Sequence, residues 1–261
     1  MARRKSYIKT GECIWCGKKR TEVSFSRRPH IVPDAVGGNE IGFDVCDECN
    51  EYFGKRPNNN IPSPDQVFSE LFNLKRFSPD SNFVTDGSKF KSGMLYKVLD
   101  NGNLILSKKH LESTISCEQL KRAFYEIFLQ KYHFETKDGN NPVFSPIVAF
   151  ARYNKNVSDI KVYYLKEKLW LVPMNQNKTQ LLFPNDSMEL MNKTGFFSFY
   201  FLGYRFFLEI FKEKCNSCIN SYFQSIIDKE PFFKKEISEL LHISDIAEIF
   251  NFSGYSKIVI E

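Results

Sequence analysis

ECIWCGKKRTEVSFSRRPHIVPDAVGGNEIGFDVCDECNEYFGK, residues 12–55, is the stretch from which the rest of the chain is read. Two Cys-x-x-Cys knuckles, Cys13/Cys16 and Cys46/Cys49, enclose 29 residues that carry a His-x-x-Pro step (His30 to Pro33) and the pair Gly37-Gly38. The two-residue gap lets both sulfurs of a knuckle face one ion, and four thiolates close a tetrahedron around Zn2+ at ~2.3 Å. A module of roughly 55 residues buries too little apolar surface to be stable alone, so the metal is expected to supply folding free energy. The pattern predicts strands at residues 6–9 and 22–26, a turn at Gly37-Gly38 and a helix starting near Asp47.

The whole chain has 261 residues, 42% apolar and 26% charged, which suits one large or two modest domains with a sizeable core. Its seven cysteines do not form a secreted disulfide framework. Cys215/Cys218 has no second knuckle to complete a zinc site, and it and Cys117 read as free thiols. The basic start MARRKSYIKT runs into no apolar segment, and no run reaches the ~20 apolar residues of a spanning helix. The expectation is a reduced, cytoplasmic protein with no membrane segment. The net charge of +5 is unevenly placed: residues 1–30 hold nine Lys/Arg against two acids, residues 31–56 two against six.

Residues 55–64, with three asparagines between prolines, read as a linker and divide the chain into a module at 1–58 and a domain at 65–261. Beyond the linker, Ser63-Pro64-Asp65-Gln66 resembles a capping box that opens a helix. Asp100-Asn101-Gly102-Asn103 between short apolar runs predicts a hairpin. A helix beginning near Ser116 carries an apolar stripe of Leu120, Phe124, Ile127 and Phe128, with His110 and His133 taken as surface residues at its edges. The runs VFSPIVAF, IKVYYL, LWLVP and QLLF between 143 and 183 read as strands. Residues 196–211 suit a strand pair or a buried helix, residues 217–227 and 231–250 look helical, and 257–260 suit a last strand. The fold class is α+β.

His30, Pro33, Gly37-Gly38 and the run Cys46-Asp47-Glu48-Cys49-Asn50, taken in order, resemble the HNH endonuclease family, in particular members braced by a four-cysteine zinc site. The resemblance covers residues 12–55 and implies a ββα-metal fold, in which a ribbon bearing the first His packs on a helix bearing the last His or Asn. It implies His30 as general base, Asn50 with His30 at a divalent metal, and Asp44, or secondarily Asn39, as the residue that orients the base. Where many members place a metal-binding Asp, Glu or His, this chain has Pro29. An acid among Asp34, Asp44 and Asp47 is then expected to supply the oxygen.

The chemistry implied is hydrolysis of DNA phosphodiester bonds with Mg2+ or Mn2+. Lys18, Lys19, Arg20, Arg27 and Arg28 are the candidate contacts to backbone phosphate. The resemblance extends by analogy to restriction or anti-phage defence, with residues 65–261 engaging a regulatory protein subunit or an activating ligand. The rival reading is a non-catalytic zinc module that binds nucleic acid or protein while the C-terminal domain carries the main activity.

Overall fold

The computed structural model describes residues 6–73, 93–99, 103–166, 181–201, 203–229, 236–253 and 257–261. The chain divides into two compact units, Met1–Lys155 with Leu241–Glu261, and Asn156–Leu240. The first contributes α1 (Asp47–Gly54), α2 (Pro64–Asn73), β1 (Tyr96–Val98), β2 (Asn103–Leu106), α3 (Lys108–Leu111), α4 (Thr114–Thr136) and α5 (Ser145–Tyr153). The second holds β3 (Val162–Lys166), α6 (Ser187–Thr194), β4 (Phe196–Phe201), β5 (Tyr204–Glu209), α7 (Lys212–Ile227) and β6 (Ile237–Glu239). The chain then returns to the first unit with β7 (Lys257–Ile260). Among the described residues no helix is long and apolar enough to cross a membrane.

The expected division at 58/65 is therefore not where the compact units part. The cysteine module, α2 and α4 share one unit because the module has no adequate core of its own and borrows one. α4 is the central element. Its apolar side chains Leu120, Phe124, Ile127 and Phe128 are buried as expected, with Phe68 and Phe72 of α2 packed on Phe124.

The side chains of Gln119, Arg122, Glu126, Gln130 and His133 are buried as well. Their spacing of three and four residues aligns them in one polar stripe. An amphipathic helix usually turns such a stripe to water. Here the N-terminal module covers it, and that is why His133, expected at the surface, lies in the interior.

Sequence signals account for several boundaries. Ser63 Oγ accepts from the Gln66 backbone N–H and so caps α2 where a helix start is predicted, while the Gln66 side chain bonds Arg56 and Glu70 in place of the return bond of a capping box. α4 starts slightly earlier than expected, at an N-cap on Ser113 whose side chain accepts from the Ser116 amide. β1 and β2 pair antiparallel, β7 adds parallel to β2, and the hairpin tip at Asp100 to Gly102 lies outside the described residues. VFSPIVAF is not a strand: Pro142 opens a short 3-10 turn and Pro146 begins α5, each at a position where a missing N–H costs nothing.

The strands expected at 6–9 and 22–26 do not form: Glu22 and Val23 close a turn onto the Lys19 carbonyl, and Tyr7 N–H to Phe25 C=O at 3.0 Å links the two segments. In the second unit the sheet order is β4-β5-β3-β6, antiparallel throughout. α7 packs against Tyr163, Leu165, Phe196 and Phe207 of that sheet. Residues 231–250, read as helical, hold β6 and a 3-10 segment at Ile243–Ser253, because residues 237–239 pair with the β3 edge. The LWLVP run lies outside the described residues.

Candidate metal and catalytic site

The four sulfurs of Cys13, Cys16, Cys46 and Cys49 lie within 4.8 Å of one another. A tetrahedron with ~2.3 Å bonds to zinc has edges of ~3.8 Å, and Cys16 Sγ to Cys46 Sγ is 3.8 Å. The charges point the same way. Hydrogen bonding from Cys49 brings the Cys13 thiol down to about 5, while burial pushes Cys46 up to about 12 and the Cys13 contact together with burial pushes Cys49 up. Four thiolates this close need a cation among them, and the cluster is compatible with a structural zinc.

The surroundings are arranged around these sulfurs. Trp15 and Phe53 rings meet at 4.8 Å, Cys46 N–H points to Cys13 Sγ at 3.4 Å, and Arg152 Nε–H donates to Cys49 Sγ at 3.3 Å. Arg152 lies 3.9 Å from the centroid of Tyr52 and also reaches Glu48 at 3.3 Å. No other group of three or more His, Cys, Asp or Glu able to hold an ion occurs among the described residues. Cys215 is a core residue, and Cys218 Sγ–H donates to the Thr194 carbonyl, as expected of free thiols.

Between the knuckles the chain makes the predicted turn, and the ribbon that the resemblance implies is reduced to one antiparallel bridge with its flanking backbone bonds. His30 bridges to Ile41 antiparallel, Ile31 N–H meets Glu40 C=O, and Gly42 N–H meets Pro29 C=O. Asp34–Val36 forms a 3-10 turn that ends in Gly37 at φ 85°. Gly38 follows, where a Cβ would stand 1.8 Å from the Val32 carbonyl oxygen. Only glycine fits there. The Gly38 carbonyl accepts from His30 Nδ1 at 3.2 Å. Since a carbonyl cannot donate, Nδ1 carries the proton, and Nε2 keeps its lone pair. α1 then begins directly after Cys46 and carries Asn50.

Asp44, expected beside the base, has other partners. Its buried carboxylate accepts from the backbone N–H of Lys9 (3.0 Å), Thr10 (2.7 Å) and Gly11 (2.9 Å) and from His133 Nε2 (3.1 Å). These bonds hold it well below the usual carboxylate range despite burial, which acts the other way. His133 Nδ1 accepts from Gly139 N–H at 3.0 Å, so the ring is neutral and its Nε2–H is the donor to Asp44. Asp47 is likewise occupied, by Ser24, Ser26 and the Arg27 amide, and Asp34 lies exposed on the turn. The structure thus gives Asp44 and Asp47 structural work in tying residues 7–28 to the module.

A carboxyl pair not singled out from the sequence includes a group that interacts electrostatically with His30. Asp65, in the first turn of α2, hydrogen-bonds Glu126 of α4 and is within electrostatic reach of His30. Its Oδ2 lies 3.5 Å from where a Cβ on Gly54 would be. Gly54 and Asn50 are four residues apart on α1 and share a helix face. Burial raises Asp65 to about 6, opposed by Glu126 and His30, and burial with the adjacent Asp65 raises Glu126 well above the ordinary range. The hydrogen bond between the two carboxyls lowers Asp65 and raises Glu126, while Gln130 Nε2 donates to Glu126 at 2.9 Å. The available signal was the capping-box acid, read only as a helix start.

The five expected phosphate contacts are dispersed. Lys18 pairs with Glu48 at 3.9 Å and Arg27 with Glu51 at 2.9 Å, both exposed and therefore weak. Arg28 Nε–H donates to Tyr7 Oη at 3.2 Å and, with Lys9 and Lys137, lines a cleft of about 720 Å3 bordered by Ile41 and Gly42 of the ribbon. Lys19 and Arg20 are exposed near the first knuckle. None of the residues lining that cleft is acidic.

A His-bearing turn, a short helix starting at a cysteine knuckle and a four-sulfur cluster compatible with structural zinc together suggest a nuclease-type module. Residues 13–61 match the HNH endonuclease family. No curated protein and no solved structure matches the chain. The family segment implies a nucleic acid as substrate, and it ends before Asp65, so α2 and α4 contribute from outside it.

Proposed function

We propose that the first unit is a metal-dependent endonuclease that hydrolyses DNA phosphodiester bonds, with His30 as the general base. The observation that carries this reading is the His30 ring, fixed through Nδ1 on a ribbon closed by Gly38 and leaving Nε2 free to take a proton from water. Asn50 on α1 is the second element, and Asp65 supplies the oxygen absent at Pro29, on the α1 face that Asn50 and Gly54 share. An amide oxygen and a carboxylate are the donors a hard divalent cation takes, so the residues fit Mg2+ or Mn2+. When bound, that ion would neutralise charge on the scissile phosphate and the leaving oxygen.

Glu126 has a positioning role, holding Asp65 in place through the hydrogen bond between them. Lys9, Arg28 and Lys137 offer positive charge to the DNA backbone beside the ribbon. By analogy, we assign the protein to restriction or anti-phage defence.

The test is cleavage of supercoiled plasmid with Mg2+ or Mn2+, comparing wild type, His30→Ala and Asp65→Asn, with an EDTA control. His30→Ala and Asp65→Asn are expected to lose cleavage while keeping the zinc. Undiminished cleavage by His30→Ala overturns the mechanism. A wild type inactive on both DNA and RNA leaves a non-catalytic zinc-braced module that binds nucleic acid.

A further inference from the structure

The second unit contains a cleft that the nuclease reading does not use. α6, β4, β5 and α7 enclose about 660 Å3, within the range of small-molecule sites. Three cations line it, Lys193, Arg205 and Lys229, against a single acid, Asp186.

Two of its side chains have polar atoms left over. Arg205 Nε and Tyr222 Oη are both buried, and neither has a hydrogen-bond partner among the described residues. A buried donor without an acceptor is costly, and most such donors are satisfied. Here two of them line one cleft. Arg205 is otherwise held: its Nη2 donates to Ser198 Oγ at 3.2 Å, and its guanidinium lies 5.2 Å from the Tyr200 ring centroid and 5.0 Å from that of Phe207. A planar fork fixed in this way matches an oxyanion. Burial pushes the Tyr222 phenol up, so it remains a donor at neutral pH.

We propose that this cleft binds a small phosphorylated molecule, whose phosphate accepts from Arg205 Nε and Tyr222 Oη and is offset in charge by Lys193 and Lys229. Phosphate is favoured over a single carboxylate because the lining carries an excess of two positive charges, three cations less one acid, and a phosphate monoester near pH 7 carries a charge of about −2.

The experiment is titration calorimetry on the full, zinc-loaded chain. The probes are inorganic phosphate, ribose 5-phosphate and adenosine monophosphate, with adenosine as the neutral control and succinate as the carboxylate arm. At least one phosphate compound is expected to bind saturably with 1:1 stoichiometry, and adenosine and succinate are expected not to bind. Tyr222→Phe keeps the ring and removes only the unsatisfied hydroxyl, so it should fold with an unchanged or higher Tm and bind about tenfold more weakly, ~1.4 kcal/mol. Lys229→Gln, exposed just beyond the C-terminal end of α7, should weaken binding severalfold.

No binding by any phosphate probe, binding unchanged in both variants, or succinate binding as tightly as phosphate would each overturn the proposal. The readout is binding alone, so its outcome is separate from that of the cleavage test.

Discussion

Asp44→Asn removes one charge and little else. Asp44 sits at φ 58°, in the left-handed region, and asparagine accepts that conformation as readily as aspartate. Lys9 and Gly11 donate to Oδ1, Thr10 and His133 to Oδ2. An amide retains one oxygen and turns an NH2 toward the other two donors, so one pair of bonds is lost whichever way the side chain flips. Hydrogen bonds to a charged acceptor are worth ~1.5–3 kcal/mol each, and two are lost, which puts the variant at least ~3 kcal/mol below wild type. For a unit of this size each kcal/mol moves Tm by ~2–4 °C, so the expected loss is ~6–12 °C.

The measurement is thermal denaturation followed by circular dichroism with zinc present, repeated from pH 7 to pH 3. Because its hydrogen bonds hold Asp44 below the usual range, the stability it contributes is full above the unfolded carboxylate pKa of ~3.9. It is lost as pH falls further toward the folded value. The gap between wild type and variant should therefore narrow below about pH 4. A Tm within ~2 °C of wild type at pH 7, or a gap that persists undiminished in acid, would refute the structural role. Lost cleavage with unchanged Tm would return Asp44 to the catalytic set.

Gly38→Ala places a methyl on the Val32 carbonyl, so the turn must shift; a loss of about 1–3 kcal/mol or more in stability, with cleavage reduced beyond what unfolding explains, is the expected outcome in paired denaturation and activity assays. Removing zinc with a strong thiophilic chelator should unfold the first unit, seen as loss of its near-ultraviolet signal, and Arg152→Met, which deletes the donor to Cys49, should lower zinc affinity ~10–100-fold in a competition titration. The folded protein holds the Asp65 proton longer than the unfolded chain does. Its contribution to wild-type stability is thus greatest below ~pH 4 and declines as pH rises to about 6, and the decline should flatten in Asp65→Asn when unfolding is followed across pH.

The four-cysteine cluster and the glycine turn are legible because their signals are local. Sulfur spacing, a glycine pair and a capping box depend on residues a few positions apart. VFSPIVAF reads as a strand when apolar content alone is weighed, and the sign of helix is Pro142 and Pro146, each in the first turn of one of two successive helical segments. His133 and Glu126 were opaque for another reason. On a helix with a clear apolar stripe, polar residues opposite it normally face solvent, and only a covering element distant in sequence changes that. Asp65 was named as a helix-starting acid, and its nearness to His30 is a tertiary fact that no local pattern encodes.

The polar stripe on α4 bears on how the protein can change over generations. Tyr52 Oη accepts from Arg122 Nη2 at 2.6 Å, Asp65 shares a hydrogen bond with Glu126, and Asp44 accepts from His133. Each contact joins a position between 44 and 65 to one between 122 and 133. A substitution on one side leaves a buried polar group stranded on the other, so the two stretches should be inherited as matched pairs. Residues 44–65 cannot then be exchanged on their own unless α4 is exchanged with them.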